Sequence, residues 1–339
     1  MISHPLTPES RINRIVIGSI IALMLLLGIG LGFTMMNQPP LSPKWRIGIT
    51  NWPGYDPLYI ADLKGFFGQQ NLDIELIPIN SLADMRTAFE RGTIDGYVGT
   101  VMEAVESFKD TGTPNHIVLV TDYSSGADQL LSAPSITTIQ DLKGARVGLE
   151  STSPISRYMF ARALSGTNLG MDDFDIRSYN QSILVDQTIR HNLDALVTYE
   201  PYTTEIRAKR PMHILFSSAQ LPEEILDAVM VSPRMLEGEP NLSQRLQSVW
   251  QSGLDYINAH PDETHAILAA RYRVDEAAYR QMLTQVHFLD RAEIQRLASS
   301  GAIHQTLNET SHILYPHSPL TARQVSGTVN VWFQKEARR

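Results

Sequence analysis

Aromatic and hydroxyl side chains follow two predicted strands early in the chain, where they could contact a small molecule. Trp52 and Tyr55 lie in a Pro/Gly turn directly after 45–49, an alternating segment typical of a strand. A rigid aromatic ring in such a turn can stack on a ligand or attract a cation, although Trp52 could equally cover a hydrophobic core. Thr100 begins a predicted helix after the next short strand, so its hydroxyl could hold a polar ligand group or simply cap the helix.

A second set of polar residues follows later predicted strands, and the same two interpretations apply to it. Asp128 could pair with a cationic group, while Ser151 and Thr152 offer hydroxyls near a helix start, which suit an anion. Turn formation and helix initiation explain such residues without a ligand. The candidate ligand-binding residues are Trp52, Tyr55, Thr100, Tyr123, Ser125, Asp128, Ser151, Thr152, Tyr199 and Glu200.

The sequence contains none of the common catalytic or metal-binding motifs. There is no G-x-S-x-G, H-E-x-x-H, Walker A loop or G-x-G-x-x-G after a predicted strand. Two histidine pairs, 260/265 and 312/317, are five residues apart, which does not align them on one helix face for a metal. The chain has 0 cysteines, which excludes disulfides, cysteine nucleophiles and iron–sulfur clusters. We therefore expect no enzymatic activity, no metal and no cofactor.

Length, composition and charge narrow the class of protein further. The 339 residues suffice for about two domains, and the 43% hydrophobic content with 19% charged residues excludes a disordered chain. The net charge is −8, and no basic block occurs. A nucleic-acid-binding protein is therefore not expected.

The N-terminal part predicts a membrane anchor. Residues 15–36 form an uncharged 22-residue stretch, long enough as a helix to cross a bilayer core of about 30 Å. Arg11 and Arg14 precede it, which favours a cytoplasmic segment 1–14 and an exported body. The alternative to an anchor is a cleaved signal peptide. This stretch is longer than the apolar core of such a peptide, and no A-x-A site follows it. We expect a single-pass inner-membrane anchor, a Pro-rich linker at 37–44, and a body in the periplasm or outside the cell.

Strand and helix patterns alternate from residue 45 to residue 231, which predicts an α/β protein with two mainly parallel sheets. In such sheets, ligands bind beyond the carboxyl ends of the strands. The segment after residue 231 shows helical spacing of its apolar residues, and we expect no strand there.

Four short segments, in order along the chain, carry a resemblance to a known family. The first is NWPGYDPLYIA at 51–61, followed by KGFF at 64–67. The others are RGTIDG at 91–96, DLKGARVG at 141–148 and DALVTYEP at 194–201. Together they resemble periplasmic substrate-binding proteins of ABC importers, of the nitrate, sulfonate and taurine family, which is related to thiamine-precursor-binding proteins. The resemblance covers about residues 45–271.

The resemblance implies a two-lobed periplasmic-binding-protein fold, type II-like, that closes on a small molecule and delivers it to an ABC permease. On this basis we expect one lobe from 45–122 and 226–339, which includes a helical C-terminal segment, and a second lobe from 123–225. Two alternatives remain: a ligand sensor of the same fold that signals to a membrane partner, and a thiamine-precursor-type enzyme. The cysteine-rich motif of that enzyme branch is absent here. The uncleaved anchor also departs from the family pattern.

The family and the residues disagree about the charge of the ligand. Nitrate, sulfonates and taurine present an oxyanion, which binding sites usually hold with amides, hydroxyls and a cation. The candidate loops contain no Arg or Lys, and Glu150 would oppose an anion unless it points away. Their acidic and aromatic composition instead favours a cationic or zwitterionic nitrogen compound. The residues in question are Trp52, Tyr55, Asp56, Tyr123, Asp128, Glu150, Tyr199 and Glu200.

Overall fold

The computed structural model describes residues 44–112 and 115–328 of the chain, with side chains as far as residue 325. The predicted anchor at 15–36, the segment 1–14 and all of the linker but Lys44 lie outside these residues. Within the described ranges no helix is long and apolar enough to cross a membrane.

The strands of the described part form two sheets. In chain order they are β1 (Trp45–Ile49), β2 (Ile74–Pro78), β3 (Gly96–Thr100), β4 (His116–Ser124), β5 (Asp128–Ser132), β6 (Arg146–Glu150), β7 (Asp175–Tyr179), β8 (Ala195–Tyr199), β9 (His213–Ser217), β10 (Leu226–Val231) and β11 (Val286–Phe288). The first sheet has the order β11-β4-β10-β3-β1-β2 and the second has the order β7-β6-β8-β5-β9. Each sheet is the centre of one lobe, which confirms the predicted α/β, two-lobed architecture.

Helices cover these sheets and form most of the C-terminal part. They are α1 (Asp56–Leu63), α2 (Phe66–Gln69), α3 (Leu82–Glu90), α4 (Val101–Thr111), α5 (Pro154–Leu164), α6 (Gln181–Ile189), α7 (Tyr202–Lys209), α8 (Pro233–Gly238), α9 (Leu242–Ala259), α10 (Pro261–Tyr272), α11 (Glu276–Leu283), α12 (Arg291–Ser300), α13 (Ala302–Leu314) and α14 (Ala322–Thr328). The local sequence explains several boundaries. The Ser81 hydroxyl accepts a hydrogen bond from the amide of Asp84 at 3.1 Å and begins α3, as the sequence predicts. Gly65, at φ 71°, separates α1 from α2.

The prediction of mainly parallel sheets is wrong. Four strand pairs are parallel and five are antiparallel in the described residues. The cause is the route of the chain: β10 returns from the second sheet and inserts between β3 and β4, antiparallel to both. In the second sheet, β5 is antiparallel to both β8 and β9. The first sheet therefore receives the amino end of β10 at the edge where β1 and β3 have their carboxyl ends.

The expectation of no strand after residue 231 is also wrong. The three-residue strand β11 pairs with the end of β4, with Val286 opposite Ser124. Three residues are too few to show alternation, and this pairing depends on an edge that only the tertiary structure supplies.

The chain passes between the sheets twice, between Ser124 and Asp128 and again between Ser217 and Leu226. The predicted lobe limits at 122/123 and 225/226 stay a prediction. The C-terminal helices pack on both lobes: α9 packs against α1, and α13 packs against α4 and also α5. Trp250 of α9 is fully buried, and its indole N–H donates to the Leu289 carbonyl at 2.8 Å.

Candidate functional site

A small cavity, here called the aromatic cavity, lies where the two lobes meet. Its free volume is about 20 Å³, room for roughly one water molecule. The first lobe supplies residues that follow β1, begin α3, end β3 and begin β10, while the second supplies residues from β5, α5 and β8. The lining residues are Thr50, Trp52, Tyr55, Leu82, Thr100, Asp128, Ile155, Tyr199 and Asp227.

Hydrogen bonds to buried carboxyl groups fix the aromatic walls of this cavity. The indole N–H of Trp52 donates to Asp122 Oδ1 at 2.9 Å, and the hydroxyl of Tyr55 donates to Asp227 Oδ1 at 2.8 Å. The ring of Trp52 meets that of Tyr199 edge to face, with centroids 6.1 Å apart. Because both aromatic residues from the β1 turn are held at their polar ends, their apolar faces are pre-positioned for a ligand.

Burial raises the pKa of three aspartates at the base of the aromatic cavity. The pKa of Asp122 rises to about 6 and that of Asp128 to about 7. The pKa of Asp227 is raised well above its usual value, first by burial and then by the charge of Asp122. Because each of these two carboxyl groups disfavours ionisation of the other, the pair does not ionise fully together. At neutral pH this base therefore holds protons that a bound cation could displace.

A second cavity, the acceptor cavity, adjoins the first and shares Asp128, Ile155 and Tyr199 with it. Its volume is about 10 Å³. Burial raises the pKa of the Glu150 carboxyl in its wall to about 8, and the nearby charge of Asp84 adds to the effect. The lining residues are Asp128, Glu150, Ile155, Ser156, Gln181, Val197 and Tyr199.

A third, outer cavity is larger and polar, with a volume of about 360 Å³. It shares Glu150 with the acceptor cavity, so this residue lies between the two. The lining residues are Ser81, Ala83, Asp84, Glu150, Ser151, Thr152, Ser178, Tyr179 and Asn180.

The structure brings most of the candidate residues to these cavities. Those that line the aromatic cavity are Trp52, Tyr55, Thr100, Asp128 and Tyr199, and those that line the outer cavity are Ser151 and Thr152. Their role in ligand binding stays a prediction.

Three candidate residues lie outside the cavities. The ring of Tyr123 stacks on His287 of β11 with centroids 4.7 Å apart. The exposed Ser125 donates its amide N–H to the Gln285 carbonyl at 2.8 Å. Glu200 is buried, and its carboxylate accepts a hydrogen bond from the amide of Thr204 at 3.2 Å, which supports the start of α7. Packing between elements and helix initiation account for these three positions.

Sequence reasoning missed several cavity residues. Asp227 lies opposite Thr100 only because β10 is antiparallel to β3, which contradicts the expected parallel arrangement. Gln181 begins α6 and carries no pattern that distinguishes it from any helix-start residue. The one signal for Asp227 is an aspartate next to the apolar run at 228–231, since buried carboxyl groups are uncommon and need partners. In the aromatic cavity, the remaining residues that were not candidates are Thr50, Leu82 and Ile155.

Comparison with known proteins identifies the family. The family model described as "NMT1/THI5 like" matches residues 52–264, well over half of the chain. Comparison with curated protein sequences found no match.

Among solved structures, the periplasmic aliphatic sulphonate-binding protein SsuA of Escherichia coli is 18% identical at a TM-score of 0.66, covering 84% of this chain and 92% of that one. The alkanesulfonate-binding protein SsuA of Xanthomonas axonopodis pv. citri, bound to MOPS, is 14% identical at a TM-score of 0.69, covering 85% and 98%. The periplasmic nitrate-binding protein NrtA of Synechocystis PCC 6803 is 14% identical at a TM-score of 0.69, covering 89% of each chain. These likenesses confirm the periplasmic-binding-protein fold, and with the family match they confirm the resemblance: the chain belongs to the NMT1/THI5-like family.

Proposed function

We propose that this protein is the solute-binding component of an ABC importer and that its lobes close on a small cationic or zwitterionic nitrogen compound. The observation that carries the ligand class is the buried cluster of carboxyl groups and aromatic rings in the aromatic cavity. Among the described residues that line the three cavities, none is Arg or Lys. A compound whose positive group lies in this cleft would meet both carboxylate partners and ring faces.

The same chemistry argues against a simple oxyanion as the ligand. An anion in the aromatic cavity would have only the Thr100 hydroxyl, helix-start amides and similar neutral donors, opposite the carboxyls of Asp128 and Asp227. Burying like charges together costs free energy unless one group is protonated. The three neighbours named for sulphonate, alkanesulfonate or nitrate binding share the fold at low identity, and their ligands do not determine the ligand of this chain.

Contacts between the lobes support closure as the working motion. Arg157 on α5 donates to Glu106 on α4 at 2.6 Å, and Arg86 on α3 donates to the carbonyl of Thr152 at 3.3 Å. Both contacts connect helices of different lobes next to the cleft. Hinge closure around a ligand is a common motion of two-lobed binding proteins, and these contacts would form as the cleft closes.

We propose in addition that the N-terminal stretch at 15–36 remains uncleaved and holds the body at the periplasmic face of the inner membrane. Its length and lack of charge support this anchor. Cell fractionation with N-terminal sequencing tests it. The full-length chain is expected in the membrane fraction, whereas a soluble form that begins near Phe33 would contradict the anchor.

The ligand class is tested by titration calorimetry of the full chain with primary amines, amino-sulfonates and plain oxyanions. We expect a nitrogen cation to bind and Asp128→Asn to weaken it by about ten-fold, because the substitution removes a buried charge partner. Asp172→Asn, at an exposed position, is the matched control. Tight binding of sulfate, nitrate or an alkanesulfonate that Asp128→Asn leaves unchanged would overturn the ligand class.

Small-angle scattering with and without the bound compound tests closure independently. We expect the radius of gyration to decrease on binding, since the ligand favours the closed arrangement of the lobes. An unchanged radius at saturation would contradict the two-lobed trap.

A further inference from the structure

Four buried oxygen atoms that can accept a hydrogen bond line the acceptor cavity without a partner among the described residues. Both carboxyl oxygens of Glu150, the side-chain oxygen of Gln181 and the hydroxyl of Tyr199 are buried without a hydrogen-bond partner. The three residues are 3%, 1% and 7% exposed. Buried polar atoms without partners are costly, so this cluster is a place where a ligand group would be stabilised.

Strand order determines how these acceptors are arranged. Glu150 ends β6, Tyr199 ends β8, and Asp128 begins β5 directly opposite Tyr199. Since β8 lies between β6 and β5, the backbones at Glu150 and Asp128 are two strand spacings apart, about 10 Å. Both carboxyl groups and Tyr199 line the acceptor cavity.

We propose that the acceptor cavity is a subsite for a primary ammonium group of the ligand. The rest of the ligand lies beside Trp52, in an aromatic cavity that widens from its volume of about 20 Å³ as the lobes move apart to admit it. This inference rests on the proposed function and specifies its substrate class. A volume of about 10 Å³ has room for one group the size of water, and an ammonium group is of that size. It presents three N–H donors and no acceptor, which matches the surplus of acceptors.

Other ligand groups fit this cavity less well. A carboxylate or sulfonate would place acceptors against acceptors, and a trimethylammonium group has no N–H donor. The donors of a guanidinium lie in one plane in a fixed fork, whereas the three donors of a primary ammonium point in different directions. The shared residues Asp128 and Tyr199 explain how one ligand can occupy both cavities, with the ammonium beyond the tyrosine and the body against Trp52.

Binding of an ammonium group should release a proton from Glu150. With its pKa raised to about 8, the carboxyl is mostly protonated at pH 7, and a bound cation favours the ionised form. The titratable groups that interact with the charge of Glu150 or line the same cavity are Asp84, Glu103, Asp128, Tyr199 and Tyr202. None of these groups is cationic.

The test uses calorimetry on the full chain with three probes, 1,4-diaminobutane, 3-aminopropane-1-sulfonate and benzylamine, each beside its N-trimethylated counterpart. We expect at least one primary amine to bind about ten-fold or more tightly than its trimethylated form. Repeating the titration at pH 7 in two buffers of different ionisation enthalpy should show proton release. Glu150→Gln should weaken binding by about ten-fold and reduce the proton release, while Glu237→Gln, at an exposed position, should change neither.

The outcomes separate this inference from the proposed function. If an amine binds and compacts the protein, but the trimethylated form binds equally well or Glu150→Gln has no effect, the subsite is overturned and the solute-binding function stands. If only oxyanions bind, the cationic ligand class and the subsite both fail. The comparison of the two probe forms needs only wild-type protein, so the subsite can be refuted even if Glu150→Gln does not fold.

Discussion

Asp128→Asn should change the pH dependence of stability of the ligand-free protein. The carboxyl of Asp128 has a pKa near 3.8 when unfolded and about 7 when folded, because it is fully buried and close to Asp122. Between these pH values the unfolded chain has released the proton, while the folded chain still holds it. Proton linkage then lowers the free energy of unfolding as the pH rises from about 4 to about 7.

The size of this effect follows from the difference in pKa. Each unit of pKa difference corresponds to about 1.4 kcal/mol. The rise in the pKa of Asp128 from 3.8 to about 7 therefore makes the folded protein about 4 kcal/mol less stable above pH 7 than below pH 4. Between pH 5 and pH 8 the loss is about 3 kcal/mol. Asparagine has nearly the same shape and does not ionise. From pH 5 to pH 8 the free energy of unfolding should therefore fall by about 2–3 kcal/mol less in the variant than in wild type. The lower figure allows for relaxation of the protein around the charge.

Urea denaturation of the full chain at pH 5 and at pH 8, without ligand, measures the difference. Wild type and the surface control Asp172→Asn should lose stability in parallel, whereas Asp128→Asn should show a shallower decrease. Equal pH dependence in wild type and Asp128→Asn would show that Asp128 is ionised in the folded protein at neutral pH, and the electrostatic argument for the cavity base would then be wrong.

Two further substitutions test the packing and the closure of the lobes. Gly253→Ala would place a methyl group 2.1 Å from the Pro57 carbonyl oxygen, so chemical denaturation should show a loss of about 2–4 kcal/mol in the free energy of unfolding. The control Gly68→Ala lies in a helix with open space around it and should be neutral or stabilising by about 0.5 kcal/mol. Equal effects of the two substitutions would contradict the packing of α9 on α1. Arg157→Ala removes the 2.6 Å contact with Glu106 across the lobes. Although Arg157 lines none of the three cavities, its loss should weaken ligand binding by about three- to ten-fold in calorimetry, because the contact favours the closed form. Unchanged affinity would show that it does not.

The sequence predicts the elements of this fold well because each of them carries a local signal. The apolar run at 195–198 alone indicates a buried strand, and it forms most of β8, all five residues of which are buried. Ser81 predicts the start of α3 because the capping hydrogen bond spans only three residues. Such short-range interactions depend on neighbouring side chains that are visible in the sequence.

The arrangement of the base of the cleft could not be predicted in the same way. Asp227 meets Tyr55 across 172 positions of sequence, and Trp52 meets Asp122 across 70. These contacts depend on the insertion of β10 between β3 and β4, a choice of strand order for which no local pattern exists. The sequence singles out acidic and aromatic residues as candidates, and the structure brings several of them to the lining of the aromatic cavity, but their pairing follows from topology.

The protonated base of the cleft also affects which states of the protein exist without a ligand. Asp122 lies on β4, from which the chain crosses to the second lobe, and Asp227 lies on β10, to which the chain returns. Asp128 begins β5, directly after the first crossing. In an open cleft water would reach these carboxyl groups, and their pKa values would fall toward the ordinary range. Closure of the lobes without a ligand therefore requires these groups to take up protons. The proposed cationic ligand would replace those protons and make the uptake unnecessary. We therefore expect closed molecules without ligand to become rarer as the pH rises, which would reduce unproductive docking of unloaded protein at the proposed importer.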